Sequence, residues 1–396
     1  MGALMNAHDP ISAANELAAK LTARTRHVSL LLGAGTSCAA GLPDVARLLT
    51  NILSGLDGDH LELAKSIFEN RNLEEGLTRL RRIRALLGDG EEVFSGFSAT
   101  TAQNLEKKIM ASIIAELTKI APDLTPSINL AAWAAGDFYT RPIEIFTVNY
   151  DLVLENGLEK VGASYFDGFV GNLEARFRPE LVETRPEATG LPNSFVRLWK
   201  LHGSLNWKIY NDGDVRRTGG AVPQDEMAAI YPSDDKYNQS RRVPFLVLQD
   251  RLRRALGEPE SLTLVCGYSF GDAHLNEILF DAAKRHPRSE IAIFCFDEIP
   301  ESLADNVSAN VSIFGAREAI LSGERSQWQP PASARPPVWV ENRFCLGDFR
   351  ALAEFLAKNR RTNSLLTGDP EVVGQLLEAL QTGGVLPGNP LDLTRG

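Results

Sequence analysis

The stretch LLLGAGTSCAAGLPD, residues 30–44, is the most informative part of the sequence about the fold. Its aliphatic run reaches Leu32 and is followed at once by Gly33, Ala34 and Gly35. An apolar run that ends in glycines is typical of a buried parallel strand that turns tightly into a helix. The bare backbone of such a turn also lets another group approach closely. The stretch therefore predicts the first βα unit of a parallel sheet.

The composition is that of a globular chain with an acidic balance. The chain has 396 residues, of which 44% are hydrophobic, and a formal net charge of −10. This charge argues against a surface that binds nucleic acid or an anionic membrane as a whole. No window reaches the roughly 18 uninterrupted apolar residues of a membrane span, and the first ten residues show no basic-then-apolar leader pattern. We therefore predict a cytoplasmic protein that binds neither a membrane nor nucleic acid directly.

The cysteines indicate neither a metal knuckle nor a disulfide framework. Cys38, Cys266, Cys295 and Cys345 lie far apart and form no Cys-x-x-Cys pair. Paired spacings of that kind are the usual signature of a structural zinc site. We predict that the protein holds no metal.

Short apolar runs alternate with helical patterns along the chain. This alternation predicts an α/β fold with a doubly wound, parallel, Rossmann-like sheet of about six strands. From Asp44 to about residue 141 only helical periodicity appears, which predicts a helical insert after the first strand. The predicted strands occupy residues 27–32, 143–148, 194–203, 262–269, 290–297 and 311–316, and helices are predicted over 10–26 and 271–286.

The organisation beyond the strands predicts one main domain. We place it at residues 10–318, with the insert at 44–141, and assign 319–396 to a C-terminal loop, helix and tail. The loop covers 319–338, which is rich in Ser, Pro and Arg, and a short helix is expected before the Gly-Gly pair near 383. Residues 205–217 alternate around Asp212-Gly213 and predict a β-hairpin.

Four predicted strands end in polar or glycine-bearing turns. Each turn has a purely structural explanation: a glycine turn occurs without any nucleotide, side chains cap helices, and a histidine can belong to a core. In a doubly wound sheet, however, all four turns face one crevice, where backbone donors, an amide, a carboxylate and an imidazole would meet. That combination predicts a dinucleotide site. The turns are Gly33–Ser37, Asn149–Asp151, His202–Ser204 and Gly267–Asp272.

Other nucleotide sites and a cysteine nucleophile fit the sequence less well. Gly41 follows Gly35 by six positions, where the dehydrogenase fingerprint has three, and no strand ending in an acidic residue follows at the usual distance. The turn is not followed by the Gly-Lys-Ser/Thr of a P-loop. Cys38 has no evident base near it in the sequence.

The four turns resemble the motifs of the sirtuin family. GAGTSCAAGLPD matches the sirtuin pattern Gly-Ala-Gly-x-Ser-x-x-x-Gly-x-Pro-Asp, TVNYD resembles its Thr-x-Asn-x-Asp segment, and KLHGS resembles its His-Gly segment. GYSFGDAHLN is similar to the longer Gly-x-Ser turn of bacterial sirtuin-like proteins of anti-phage defence systems. The resemblance covers roughly residues 25–300, with the motifs in the expected order.

The chain departs from the deacylating sirtuins in three respects. Deacylases carry a structural zinc on two Cys-x-x-Cys pairs after the His-Gly segment, whereas residues 205–260 contain no cysteine. Val45-Ala46 stands where deacylases usually have Phe-Arg, and Val148 replaces their usual Gln. The zinc-free defence-type relatives hydrolyse NAD+ to nicotinamide and ADP-ribose. The resemblance therefore implies an NAD+ glycohydrolase (NADase) of abortive-infection defence.

The resemblance also implies roles for individual residues. Asn149 and Asp151 would stabilise the positive ribosyl fragment, Asn149 would also orient water, and His202 would accept a proton from water or a ribose hydroxyl. The residues implied to bind NAD+ are Gly33, Ala34, Gly35, Thr36 and Ser37 at the diphosphate, Gly267 and Ser269 on the adenosine side, and Asp44 near the nicotinamide.

Alternative functions and partners stay open at the level of sequence. The chain could instead transfer an acyl or ADP-ribosyl group as a protein deacylase or ADP-ribosyltransferase, or bind NAD+ or ADP-ribose as a regulatory module without catalysis. An uncontrolled NADase would harm its host, so we expect a regulator. The resemblance implies homo-oligomers and a partner such as a DNA-translocase-type ATPase or a short Argonaute. We expect the helical insert to serve in oligomerisation, and most of its apolar faces, over residues 60–140, to pack against the chain's own sheet.

Overall fold

The computed structural model describes residues 7–359, except 72, 89–91, 120, 137–138, 185–189, 191, 193, 211–213, 221, 223–226, 230–242 and 306. The strands are β1 (Val28–Leu32), β2 (Glu144–Thr147), β3 (Tyr165–Phe166), β4 (Phe169–Val170), β5 (Glu174–Phe177), β6 (Val196–Lys200), β7 (Gly203–Ile209), β8 (Val215–Thr218), β9 (Met227–Ala229), β10 (Leu262–Cys266), β11 (Glu290–Phe294), β12 (Val311–Phe314), β13 (Glu318–Leu321), β14 (Glu324–Gln327), β15 (Trp339–Val340) and β16 (Arg343–Phe344). The helices are α1 (Pro10–Leu21), α2 (Ala34–Ala39), α3 (Val45–Ser54), α4 (Gly58–Phe68), α5 (Leu73–Leu87), α6 (Ala99–Lys119), α7 (Thr125–Ala134), α8 (Val153–Lys160), α9 (Pro179–Glu183), α10 (Phe245–Gly257), α11 (Ala273–Arg285), α12 (Glu301–Ala304) and α13 (Phe349–Lys358).

The large sheet is mostly parallel, and its strand order creates a switch point beside β1. Within the described residues it has nine strands in the order β14-β13-β12-β11-β10-β1-β2-β6-β3. The chain leaves β1 toward β2 and β6 on one side and later returns to β10 on the other. Ligands of doubly wound sheets bind outside the carboxyl ends of the strands at such a point. The candidate site is therefore expected above β1, β2 and β10.

The fully buried strands explain why the sequence shows continuous apolar runs. All five residues of β1 are buried, and so are all five of β10, because helices cover both faces of the parallel sheet. The predicted α/β fold with a Rossmann-like parallel sheet is confirmed at this level. The predicted number of strands is too low, since the described residues alone contribute nine strands to the sheet.

Part of the undercount lies in the segment predicted as a loop. Strands β13 and β14 form an antiparallel hairpin that extends the sheet beyond β12. Their residues are mostly exposed or half-buried on the outer edge, so they lack the apolar run by which the central strands are recognised. The loop prediction for 319–338 is therefore wrong for the hairpin. The division of the chain at residue 318 stays a prediction.

The helical insert has a core of its own. Helices α3 to α6 bury an apolar cluster drawn from residues 48–113, with Leu77, Leu80, Leu105 and Ile109 fully enclosed. The sequence-based interpretation placed most of these faces against the sheet. The structure places them against one another, because an amphipathic pattern reports that a face is buried and not what covers it. Helix α7 packs instead with the core of the sheet.

A smaller antiparallel sheet combines β4 and β5, which precede β6 in the chain, with β7, β8 and β9, which follow it. Its strand order is β4-β5-β8-β7-β9. The predicted hairpin is confirmed in β7 and β8, with Trp207 opposite Arg217 and Ile209 opposite Val215. Residues 211–213, the predicted turn, lie outside the described residues. Strand β7 begins at Gly203, so the turn that carries His202 is held between two strands.

The C-terminal helix α13 covers the sheet next to α7. Asp348 caps it by accepting a hydrogen bond from the amide of Arg350 at 2.8 Å. The Arg350 guanidinium reaches the main-chain oxygen of Ala39 at the end of α2 (2.8 Å). The helix and tail predicted beyond residue 359 lie outside the described residues. Across the part of the chain that is described, no helix is long and apolar enough to cross a membrane.

Candidate active site

The glycines at the switch point bring two turns into direct backbone contact. The amide of Gly33 donates to the oxygen of Cys266 at 3.1 Å, and the amide of Gly35 donates to that of Gly267 at 2.9 Å. A Cβ on Gly33 would lie 2.5 Å from the oxygen of Gly267, and one on Gly35 would lie 2.6 Å from its Cα. The sequence suggests that a ligand approaches the bare backbone of this turn. In the structure, the backbone of the turn at Gly267 occupies part of that space.

Gly267 should be the least replaceable of these glycines. Its φ is +65°, and a Cβ there would lie 2.7 Å from the amide nitrogen of Thr36 and 2.9 Å from the Cα of Gly35. We expect Gly267→Ala to lower the free energy of unfolding by more than Gly323→Ala, which has a φ of +83° but no atom within 4 Å of the added Cβ. Strain at positive φ costs about 1–3 kcal/mol. Urea unfolding of both variants measures the difference, and equal losses would show that the packing of the two turns is unimportant.

Asn149 joins the end of β2 to the glycine turn. Its Nδ2 lies 3.0 Å from the oxygen of Gly33, 2.9 Å from Thr36 Oγ1 and 2.9 Å from Ser37 Oγ. Both hydroxyls donate elsewhere, Thr36 to Gly33 and Ser37 to Asp151, so both need a donor from Asn149. This pattern fixes the amide orientation. Asn149 Oδ1 therefore points away from the turn, and no hydrogen bond to it occurs among the described residues.

Asp151 holds the surrounding loop together. One carboxylate oxygen accepts from Ser37 Oγ at 2.6 Å, and the other accepts from the amide of Val153 at 3.0 Å as α8 begins. The buried ammonium of Lys200 donates to the main-chain oxygen of Asp151 and lies 2.9 Å from the carboxylate of Glu155. The segment after β2 is thus anchored from the glycine turn on one side and from β6 on the other.

His202 reaches across the site to the turn after β10. Its Nε2 lies 3.2 Å from Asp272 Oδ2, and both side chains are 9% exposed. The sheet order puts β2 and β1 between the two strands that carry these residues. Strands lie about 4.8 Å apart, so the ends of β6 and β10 are about 14 Å apart. The contact therefore spans the carboxyl ends of β1 and β2, above which Asn149 lies.

The other predicted binding residues make mainly local contacts. Asp44 is exposed and caps α3 by accepting from the amide of Arg47 at 2.7 Å. Ser269 is exposed, and its hydroxyl lies 3.4 Å from the amide of Gly271. Ala34 is the first residue of α2, and the amide of Thr36 donates to the oxygen of Gly33 at 3.0 Å. Their roles toward a nucleotide remain predictions.

The thiol nearest to the glycine turn is not activated. Burial raises the pKa of Cys38, and the carboxylates of Asp44 and Asp151 raise it further against the opposing effect of Arg47. A protonated thiol is a poor nucleophile. Within the described ranges no group of three or more His, Cys, Asp or Glu side chains is placed to hold a metal ion. The absence of zinc stays a prediction.

Two residues at the site were not singled out as functional by the sequence. The sequence analysis includes Asp272 in the fourth turn of the predicted site, with a helix cap as its structural alternative, but gives it no role of its own, and it does not consider Lys200. Asp272 does cap α11, but its second oxygen faces His202. A signal for Lys200 existed, since a lysine at the end of a fully buried strand needs a buried partner.

Comparison with known proteins finds a family model that matches part of the chain. Residues 143–313 match the family model of a SIR2-like domain. The match supports a sirtuin-like family and indicates NAD-related activity. It covers less than half of the chain and includes Asn149, Asp151, His202, Gly267 and Ser269. Among curated proteins, none matches the chain.

The glycine turn lies before the segment that matches the SIR2-like domain. The structure nevertheless joins the two, through the amide of Asn149 and through the backbone contact with Gly267. The first βα unit and the SIR2-like segment therefore lie side by side at the carboxyl edge of the sheet.

Proposed function

We propose that the protein is an NAD+ glycohydrolase, which uses water to cleave the bond between nicotinamide and ribose. The observation that carries the proposal is that two contacts share the carboxyl edge of the sheet: the Asn149 amide on the glycine turn, and the His202 imidazole beside the carboxylate of Asp272. The SIR2-like match indicates which dinucleotide such a crevice takes.

The reaction needs little acid catalysis but much stabilisation of positive charge. Nicotinamide leaves as a neutral molecule from a cationic pyridinium, so its departure requires no proton. The ribosyl fragment becomes electron-deficient, and dipoles or negative groups near it lower the barrier. Water then adds to the anomeric carbon and loses a proton, so NAD+ and water yield nicotinamide, ADP-ribose and a proton.

Asn149 and His202 suit the two demands of this reaction. The Asn149 amide is held by its nitrogen, which leaves the negative end of its dipole, Oδ1, for the ribosyl fragment or the attacking water. His202 accepts the proton from water or a ribose hydroxyl, a step for which imidazole is suited near neutral pH. In this proposal, Asp151 adds negative charge behind Asn149 and holds Ser37 in place.

The nucleotide lies along the same edge in this proposal. The diphosphate is next to Gly33, Ala34, Gly35, Thr36 and Ser37, with adenosine toward Gly267 and Ser269 and nicotinamide toward Asp44. Three of the four backbone amides from Gly33 to Thr36 already donate within the chain. The hydroxyls of Thr36 and Ser37 donate within the chain as well, so diphosphate binding depends on the remaining amide, that of Ala34, more than the sequence suggests.

The decisive experiment is chromatographic. Purified protein is incubated with NAD+, with and without an acetylated peptide, and nicotinamide, ADP-ribose and O-acetyl-ADP-ribose are quantified. Nicotinamide and ADP-ribose formed without peptide support the hydrolase. Turnover that requires peptide indicates a deacylase or ADP-ribosyltransferase, and NAD+ binding without turnover indicates a regulatory module.

Asn149→Ala should abolish most of this turnover. Removing the amide leaves Thr36 and Ser37 with their acceptors, Gly33 and Asp151, so the fold should persist. Loss of one preorganised polar group that stabilises a transition state costs about 100- to 1000-fold in kcat. The matched control is Asn310→Ala: its Nδ2 likewise contacts three oxygens, all of them main-chain, and Asn310 precedes β12 at the opposite edge of the sheet. A rate near that of the unmodified protein would contradict the role of Asn149.

The biological setting is part of the proposal. We propose a cytoplasmic effector of abortive-infection anti-phage defence, because NAD+ depletion would stop an infected cell. Control would come from homo-oligomerisation through the helical insert, where Leu86 is 75% exposed and Val93 is 68% exposed, and from a partner such as a translocase-type ATPase. Size-exclusion chromatography and co-purification test these two parts separately from catalysis.

A further inference from the structure

The two carboxylate oxygens of Asp272 make different contacts. Its Oδ1 accepts from the amides of His274 at 3.0 Å and Leu275 at 3.3 Å, which caps α11. Its Oδ2 lies 3.2 Å from Nε2 of His202. Because the cap fixes one oxygen, the direction of the other is fixed as well. The side chain therefore presents a defined acceptor to the imidazole.

The loop that carries Asp272 is braced from within. The hydroxyl of Tyr268 lies 3.2 Å from the main-chain oxygen of Asp272 and 3.1 Å from Oδ1 of Asn276. Nδ2 of Asn276 donates to the oxygen of Phe270 at 2.7 Å, and Phe270 has a φ of +57°. A non-glycine residue keeps such a conformation only when its surroundings hold it. The loop is thus preorganised around one position of Asp272.

The chemistry of the pair decides where the imidazole proton lies. A carboxylate oxygen can only accept, and a neutral imidazole has one donor and one acceptor nitrogen. A carboxylate oxygen 3.2 Å from Nε2 therefore favours the tautomer with the proton on Nε2 and the lone pair on Nδ1. The pair is nine-tenths buried, so water competes little for either group.

We propose that Asp272 is the positioning residue of His202, holding the proton on Nε2 so that Nδ1 accepts the proton released in the reaction. This role rests on the proposed function, in which His202 is the base. The tautomer itself does not rest on it, because it follows from the contact between the two side chains.

The tautomer can be measured without any turnover. Long-range ¹H–¹⁵N spectra of protein labelled with ¹⁵N-histidine distinguish an N–H nitrogen from one with a lone pair, and His202→Gln identifies the His202 signals by their loss. We expect Nε2 to carry the proton and Nδ1 the lone pair at pH 8. A proton on Nδ1, or a mixture of tautomers, would overturn the proposal.

Asp272→Asn provides a stricter test because the cap survives it. Asn is as good a capping residue as Asp, and its oxygen must keep accepting from the amides of His274 and Leu275. Its NH₂ then faces Nε2, which requires a lone pair there. We expect the variant to shift the proton to Nδ1 and to lower kcat at least 100-fold, with KM changed less than threefold.

The control is Asp348→Asn, which makes the same change at the cap of α13. It should keep both the His202 tautomer and the NAD+ turnover. If Asp272→Asn keeps the tautomer or the rate of the unmodified protein, the positioning role is wrong. If the unmodified protein shows the Nε2–H tautomer but cleaves no NAD+, the proposed function fails while the assignment of the proton to Nε2 stands.

Discussion

His202→Ala should lower NAD+ cleavage by about 100- to 10,000-fold, the range that a positioned general base contributes. The His202 side chain is buried where β6 ends, and it contacts Asp272. Its removal should therefore leave the sheet intact. Affinity for the nucleotide should change little, because the proposed diphosphate contacts lie on the glycine turn. Product chromatography gives the rate, and calorimetric titration with ADP-ribose, which is not consumed, gives the affinity.

The control for this variant is His286→Ala. His286 is exposed at the end of α11 and precedes β11, so it lies at the amino edge of the sheet, away from the proposed chemistry. Its rate should equal that of the unmodified protein. More than a tenth of the original rate in His202→Ala would contradict the role of His202 as base. A loss of ADP-ribose binding would indicate that His202 binds the nucleotide.

Arg251→Met should cause the largest loss of stability, about 3–5 kcal/mol of unfolding free energy. Glu144 is fully buried at the start of β2, where its carboxylate accepts from Arg251 Nε at 2.7 Å, Trp199 Nε1 at 2.7 Å and His27 Nε2 at 2.9 Å. Removing the guanidinium leaves a buried carboxylate without its positive partner. Urea unfolding at pH 7 measures the loss.

A surface ion pair provides the control for Arg251→Met. Arg325 contacts Glu318 at 2.7 Å, but its side chain is 37% exposed. Exposed pairs contribute about 0–1 kcal/mol, so Arg325→Met should have a small effect. Adding Glu144→Gln to Arg251→Met should recover part of the stability by removing the unpaired charge. A loss below 1 kcal/mol in Arg251→Met would show that the buried pair does not hold α10 against the start of β2.

The same network gives the stability a defined pH dependence. Burial alone would raise the pKa of the Glu144 carboxyl, but the charge and hydrogen bonds of Arg251, with those of His27, hold that pKa well below its ordinary value. Unfolding restores a pKa of about 4.3. The stabilisation is therefore complete above that pH and is lost as the pH falls below it.

Glu144→Gln isolates this pH effect. The difference in unfolding free energy between the unmodified protein and the variant should shrink between pH 5 and pH 3, by up to about 1.4 kcal/mol per pH unit. Urea unfolding at a series of pH values measures it. A difference independent of pH over this range would mean that folding leaves the pKa of Glu144 unchanged, and a difference that grows as the pH falls would mean that folding raises it.

Much of the fold followed from local patterns. The glycine turn after β1, the polar turns after β2, β6 and β10, and the hairpin after His202 were all predicted from short stretches of sequence. Turn residues and continuous apolar runs act through the backbone conformation of the few residues involved, so a linear sequence carries them. The hairpin β13–β14 escaped prediction because an edge strand needs no apolar run.

The sequence by itself determined that an amide, a carboxylate and an imidazole follow strands of one parallel sheet, because strand ends and glycine turns are local features. The contact between Asp272 and His202 and the packing of Gly267 against Gly35 are seen only in the tertiary structure. These contacts depend on which strands are neighbours and on how far each turn reaches over the sheet edge. Hydrophobic periodicity indicates that a residue is buried. Which residues it then contacts depends on the packing of the whole chain.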